Sequence, residues 1–367
     1  MSRRNKIAVS TLVVSASIMF AAIAFVAFQG PGGKQNGQNG QNGQDEQVNA
    51  ANKPAAGSPA GDGVPDFFLG YEPNRIESDQ FIQSLPHRSL STAAPELFGA
   101  FEPRGPPVLL YRALYTVQPG WIVGRQGIGD CVSWGFAHGA NILLAVDYKL
   151  GRTGEWHDAA TEAIYGGSRV EARGKTFAGY SDGSYGAAAA KWLTDFGIIY
   201  RQRYGDIDLT TYSPALAKEW GAYGCGGKDD GGKLDAIAKL HAIKTVALVT
   251  NFAEAAAAIE NGYPIPVCSG QGFTSTRDKD GFATASGSWS HCMCFIGVRY
   301  EPRPGLLCLN SWGPNWIRGP PWPEDMPAGS FWVDARIVDR MLGGRDSFAL
   351  SNYQGFPRRP LKNSEGW

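Results

Sequence analysis

The chain has 367 residues, 43% of them apolar, which is ample for a sizeable core, and Lys plus Arg equals Asp plus Glu at 34 each. That balance excludes a global field drawing it to nucleic acid or to an acidic surface, so no nucleic-acid partner is expected. Glycine at 48 residues and proline at 23 announce many turns and long loops.

Residues 7–28, IAVSTLVVSASIMFAAIAFVAF, carry no charge. A helix of that length, at about 1.5 Å per residue, covers the roughly 30 Å hydrocarbon core of a bilayer. Arg3, Arg4 and Lys6 precede it, which by the positive-inside rule keeps the N-terminus cytoplasmic and sends the remainder out. The segment 1–28 therefore reads as a signal anchor that contacts the membrane. Ala22-Ile23-Ala24 offers the small residues of a cleavage site, so a removed signal peptide, with secretion, is the alternative. Residues 29–63 repeat QNG and then mix Ala, Gly and Pro, with Val48 the only sizeable aliphatic side chain. Such a segment cannot bury enough surface to fold and reads as a disordered tether. Over 64–104 apolar residues return among prolines without clear periodicity, as an N-terminal arm or short pro-segment.

The main domain is expected over 105–350, with 351–367 a C-terminal tail. Cys131 to Lys149 predicts a long helix ended by Gly151, and Ala187 to Phe196 a second ended by Gly197. Ser213 before Pro214 opens a third. Asn251 with Glu254 resembles a capping box for FAEAAAAIE, which Gly262 ends. The pattern then changes to strands, PIPVC, CMCFIGVRY, GLLCLN and SFWV, between Gly and Pro loops. Helices first and strands afterwards predict an α+β protein with a helical half and a sheet half.

The six cysteines, Cys131, Cys225, Cys268, Cys292, Cys294 and Cys308, form no C-x-x-C pair. In HCMC, read as strand, His291 faces one side and Cys292 and Cys294 the other, so no shared metal is expected. Cys131 is different. It opens a helix, where unpaired N–H groups and the positive end of the dipole favour a thiolate nucleophile. Of the histidines, His291 alone opens a strong strand beside a matching asparagine. Asn310, at the end of the next strand, can orient the imidazole, and Trp312 on the same face can shield that hydrogen bond. His138, about 10 Å along the helix from Cys131, is too far to act as base and reads as a packed histidine. Asp130 reads as an N-cap whose charge opposes thiolate formation.

In QGIGDC, the HCMCFIGVRY strand and NSWGPNW, in that order, the chain resembles the papain-like cysteine peptidases over roughly residues 105–345. The resemblance implies two subdomains, helical on the left and an antiparallel sheet or barrel on the right, with the active-site cleft between them. It implies Cys131 as nucleophile, His291 as base, Asn310 as orienter, Gln126 as oxyanion-hole side chain, and Trp312 and Trp316 as an aromatic lid. SDGSYGAAAAKWLTDFGI resembles the family's glycine-lined cleft wall, at Asp182, Gly183 and Ser184. A peptide or protein substrate is implied, and no metal or cofactor. The loop from Gln126 to Cys131 is one residue shorter than the family pattern, and no helical propeptide pattern is visible. Two alternatives stand beside hydrolysis: acyl transfer to an amine, and a catalytically weak domain acting as a tethered peptide- or surface-binding module. The topology has a direct test. Protease added to intact cells should remove residues 64–367, or the domain should be found in the soluble exported fraction; full protection by an intact membrane would overturn the assignment.

Overall fold

Where each element begins is set by local chemistry that the computed structural model makes visible for residues 68–98, 105–174, 182–359 and 361. These belong to one compact unit, Ala60–Trp367. The expected anchor at 7–28 and nearly all of the tether at 29–63 precede that unit, and both lie outside the described residues. Among the described residues no helix is long and apolar enough to cross a membrane.

Helix α1 (Arg75–Ser84) begins at Asn74, whose side chain accepts the Glu77 N–H at 3.1 Å, and α2 (Leu90–Ala93) follows. Ile82, Leu90 and Leu97 are buried, so this stretch packs on the domain. After β1 (Val108–Leu109) and α3 (Tyr111–Val117) comes α4 (Cys131–Lys149), buried along most of its length, as a helix at the centre of a domain must be. It stops at Leu150, beyond which Gly151 adopts a φ of +67°. Helices α5 (Thr161–Arg169) and α6 (Gly186–Asp195), the short hairpin β2 (Arg203–Tyr204) and β3 (Ile207–Asp208), α7 (Pro214–Tyr223) and α8 (Lys233–Ala238) complete the helical half. Ser213 caps α7, accepting the Leu216 N–H at 3.3 Å. Next come β4 (Thr245–Leu248) and α9 (Phe252–Glu260). Asn251 caps α9 through the Glu254 N–H at 2.9 Å, but the Glu254 carboxylate turns to the Thr250 N–H at 2.7 Å and the Ser91 N–H at 3.2 Å. The expected capping box is therefore half formed, because a neighbouring segment offers Glu254 better donors.

The sheet half holds β5 (Ile265–Arg277), β6 (Ala283–Arg299), β7 (Gly305–Leu309) and β8 (Ser330–Asp334), then α10 (Ala335–Leu342) and β9 (Phe348–Ser351). β6 is the spine: it pairs antiparallel with β1, β5 and β7, and β7 pairs with β8. No ladder joins β8 to β5, so the sheet stays open where a barrel was the alternative. β5 and β6 also extend well past the apolar runs seen in the sequence. Their far halves are largely exposed, and pairings such as Gln271 with Ser288 hold Gly, Ser and Thr in strand without any apolar alternation.

The expected tail is not separate. β9 pairs with β4 up to Ser351, and Arg359 forms a buried ion pair with Asp147 at 2.5 Å. Within the helical half, α5 and α6 meet where Gly167 faces Trp192; a Cβ on Gly167 would lie 2.1 Å from the indole. Gly167→Ala should lower stability by about 1–3 kcal/mol through overpacking, read as a lower denaturation midpoint. Gly154→Ala, where a Cβ meets nothing within 4 Å, should leave the midpoint in place.

Candidate active site

Cys131 is the first residue of α4 and is fully buried. The backbone of Cys292, the residue after His291, and that of Gly70 lie beside its sulfur. Asp130 occupies the N-cap position without making a side-chain cap. Its carboxyl instead accepts the Tyr212 hydroxyl at 2.9 Å and the Trp134 indole N–H at 3.2 Å. Burial pushes Asp130 up to about 8, so at neutral pH it is mostly protonated, and the opposing charge expected beside Cys131 is largely gone. Burial also pushes the Cys131 thiol well above its ordinary value.

His291 sits where β6 passes from its exposed half into the core. One ring nitrogen, Nε2, lies 2.7 Å from Asn310 Oδ1. That oxygen also accepts the Ser311 N–H at 2.7 Å, which fixes it as the acceptor and makes Nε2 the protonated nitrogen. Nδ1 is then a buried acceptor with no partner among the described residues. Burial lowers His291 to about 4, with the Asn310 bond opposing the shift, so the resting imidazole is neutral. Trp312 stacks on it at 4.5 Å with a 29° interplanar angle. Trp316 meets Trp312 edge-on at 5.3 Å and so supports the stack from behind. Trp289, which sequence reasoning missed, adds an edge to both Trp312 and His291.

Gln126 is held between the two halves. Its backbone N–H donates to Ser311 O at 2.9 Å, and its side-chain oxygen accepts the Ser311 hydroxyl at 2.6 Å. The amide nitrogen donates one N–H to Ile128 O at 2.9 Å, within its own shortened loop, and has a second to give. Opposite, Asp182 accepts the Gly129 N–H at 3.1 Å and the Tyr165 hydroxyl at 3.3 Å. Gly183 donates to Tyr165 at 3.0 Å and accepts from Arg169, and the Ser184 hydroxyl donates to Ser168 at 2.8 Å. The three wall residues are thus pinned by α5, another contribution absent from the sequence pattern.

Residues Phe68–Glu72 of the arm lie along this wall, where Tyr71 forms an isolated parallel bridge with Ser184. Ser184 N–H donates to Gly70 O at 2.9 Å, and Glu72 N–H to Ser184 O at 2.8 Å. On the other side, the Gly70 and Tyr71 N–H groups both donate to Ser290 O, at 3.2 and 3.1 Å. Trp312 donates its indole N–H to Phe68 O at 3.0 Å. The arm thus lies beside Cys131 at Gly70 and against Trp312, which stacks on His291, at Phe68. The aromatic run FFLGYEP, directly after the tether, was the signal that could have found it.

No protein-family model matches the chain, and no curated protein matches it in sequence. Among solved structures it is similar to xylellain, a cysteine protease from Xylella fastidiosa, at 18% identity and a TM-score of 0.46, covering 79% of this chain and 95% of that one. It is also similar to digestive procathepsin L 3 of Tenebrio molitor larval midgut, at 14% identity and TM-score 0.44 over 69% of this chain and 71% of that one. A third is the ragweed pollen allergen Amb a 11, a cysteine protease in its proform, at 14% and 0.45 over 76% and 74%.

Gly70 gives direct access to the cover. A Cβ there would lie 1.9 Å from Gly129 O, a backbone atom held by the turn in which Asp130 N–H donates to Ile128 O. Gly70→Val should therefore lift the arm. With a clash of about 1–3 kcal/mol, alkylation of Cys131 by iodoacetamide at pH 7 should quicken by about 5- to 150-fold in the full chain. An unchanged rate would mean that something other than the arm guards the thiol.

Proposed function

We propose that the chain is a papain-like cysteine peptidase that hydrolyses peptide bonds through Cys131, His291 and Asn310 once the arm has left the cleft. The observation that carries this is the bare, buried Nδ1 of His291, left over when Nε2 is committed to Asn310. A nitrogen in that state, on a ring locked under Trp312, carries a lone pair ready to accept a proton. The Cys131 sulfur lies against the N–H of the next residue along the same strand.

In the proposed cycle, Nδ1 takes the thiol proton as sulfur attacks the peptide carbonyl carbon. The imidazolium then gives that proton to the departing amine, leaving an acyl-enzyme. Water attacks the acyl carbon, His291 takes its proton, and the thiol is restored as the acid leaves. Asn310 accepts from Nε2 throughout and stabilises the imidazolium. The Cys131 backbone N–H and the second N–H of Gln126 would face the oxyanion. Lifting the arm admits water and removes the desolvation that now holds both groups neutral, so opening and activation coincide.

The basic start and the 22-residue apolar run support an extracytoplasmic domain, membrane-anchored or secreted. A second reading, a tethered peptide-binding module, is favoured by one observation: the Gln126 amide is already engaged with Ile128.

Both readings are separated in the Gly70→Val background with a peptide substrate. Cys131→Ala and His291→Ala should each abolish turnover, and Asn310→Ala should leave partial activity because it only orients the base. Gln126→Ala should lower kcat by about 10²-fold or more with little change in KM, as for loss of one oxyanion donor. Full activity of Cys131→Ala would remove the assignment of the nucleophile. An unchanged kcat in Gln126→Ala would leave that side chain a loop brace only.

A further inference from the structure

All six cysteines are buried free thiols, and the register of the sheet singles out two of them. Cys268 on β5 stands directly opposite Cys292 on β6, inside a run from Ile265 to Ser269 that pairs with Phe295 to His291 without a break. Opposed residues of antiparallel strands share a face, so both side chains point the same way. Two observations fix the kind of pairing. The Cys268 N–H donates outward, to Ser347 Oγ at 3.2 Å, and not to β6. Two residues earlier Pro266, which has no N–H to give, stands opposite Cys294 and belongs to the same alternating class. Cys268 and Cys292 are therefore a non-hydrogen-bonded pair, in which Cα atoms come to about 4.5 Å and side chains are nearest. That separation falls inside the roughly 4.4–6.8 Å over which a disulfide can bridge two cysteines.

The other thiols are worse placed. Cys308 reaches Met293 Sδ at 3.7 Å and so lies on the opposite face of β6 from Cys292. Cys294 follows Cys292 on the same strand and faces Pro266. Cys225 belongs to the helical half, where its N–H donates to Glu171 at 2.9 Å. Cys131 is the rival, because α4 packs at this point: a Cβ on Gly135 would lie 2.8 Å from Cys292 Sγ. Cys131, one helical turn before Gly135, comes beside the Cys292 backbone, whereas Cys268 meets the Cys292 side chain across the ladder. Burial pushes the Cys268 thiol well above its ordinary value, so exchange waits on folding or on local opening of the sheet.

We propose that Cys268 and Cys292 are a cross-strand redox pair that closes to a disulfide beside His291 under oxidising conditions and leaves Cys131 outside any protein disulfide. The extracytoplasmic location proposed above supplies such conditions. With oxidised glutathione as the oxidant, the Cys268 thiolate attacks one glutathione sulfur and releases the first glutathione. The Cys292 thiolate then attacks the Cys268 sulfur of that mixed disulfide and releases the second. One protein disulfide forms, one oxidised glutathione is reduced to two thiols, and the two cysteine protons end on them. The pairing does not rest on the peptidase reading and would stand in a chain that turns over no peptide. For the test, the full chain is equilibrated with oxidised glutathione at about pH 8, both folded and during refolding from the reduced, denatured state. Free thiols are then blocked with N-ethylmaleimide, and the digested chain is mapped by mass spectrometry. A Cys268–Cys292 cross-linked peptide should dominate in at least one of the two arms, with Cys131 in no protein disulfide. Recovery of Cys268 and Cys292 as separate peptides in both arms, or of Cys292 joined to Cys131, overturns the proposal. The cross-linked chain should also show a higher denaturation midpoint than the reduced chain. A cross-link that lowers the midpoint would mark capture of an opened sheet and overturns it as well.

Discussion

The site depends on how closely α4 can approach β6. Gly135 makes that approach possible: a Cβ there would fall 2.8 Å from Cys292 Sγ and 2.8 Å from Met293 O. One turn further, Gly139 lies against Pro266 and Leu350 with similarly little room. A helix bare on this face settles directly onto the strand. Its first residue, Cys131, then comes to rest against the backbone of the residue that follows His291. The β6–β7 register, with Cys294 opposite Leu309, carries Asn310 to the same end of the sheet as His291. His291 and Asn310 meet across β6 and the end of β7, and α4 brings Cys131 to the same stretch of β6 because the helix lacks side chains where it touches the sheet.

Burial then sets the electrostatic state. In the covered form no water reaches Cys131 or His291, and desolvation favours neutral thiol and neutral imidazole. The protonated character of Asp130 follows from the same cause and removes a charge that would oppose the thiolate. Under the proposed function the arm would suppress reactivity twice, by blocking access and by keeping the pair uncharged. Both effects would act through the same extended segment, held by main-chain hydrogen bonds to Ser184 and Ser290.

What could be read from the sequence was local. The limits of α4, the Ser213 cap of α7 and the Asn251 cap of α9 follow from i to i+3 chemistry, and the inner halves of β5 and β6 from continuous apolar runs. His291, Asn310 and Trp312 were legible because their types and order form one motif set, and a strand's alternation puts them on a shared face. The remainder depended on partners far apart in the chain. Ser78 reaches Asp346 across 268 positions, and Trp312 reaches Phe68 across 244. Glu254 leaves its own helix cap for Ser91, 163 positions away. The outer halves of β5 and β6 are strands only because each pairs with the other, without apolar periodicity to announce it. The sequence by itself determined which residues could form a nucleophile, base and orienter, since residue type and local geometry decide that. Only the tertiary structure decided that the thiol is buried, that Gln126 is already engaged and that Asp346 gathers donors from α1 and α6, because burial and long-range donors exist only once distant segments have packed together.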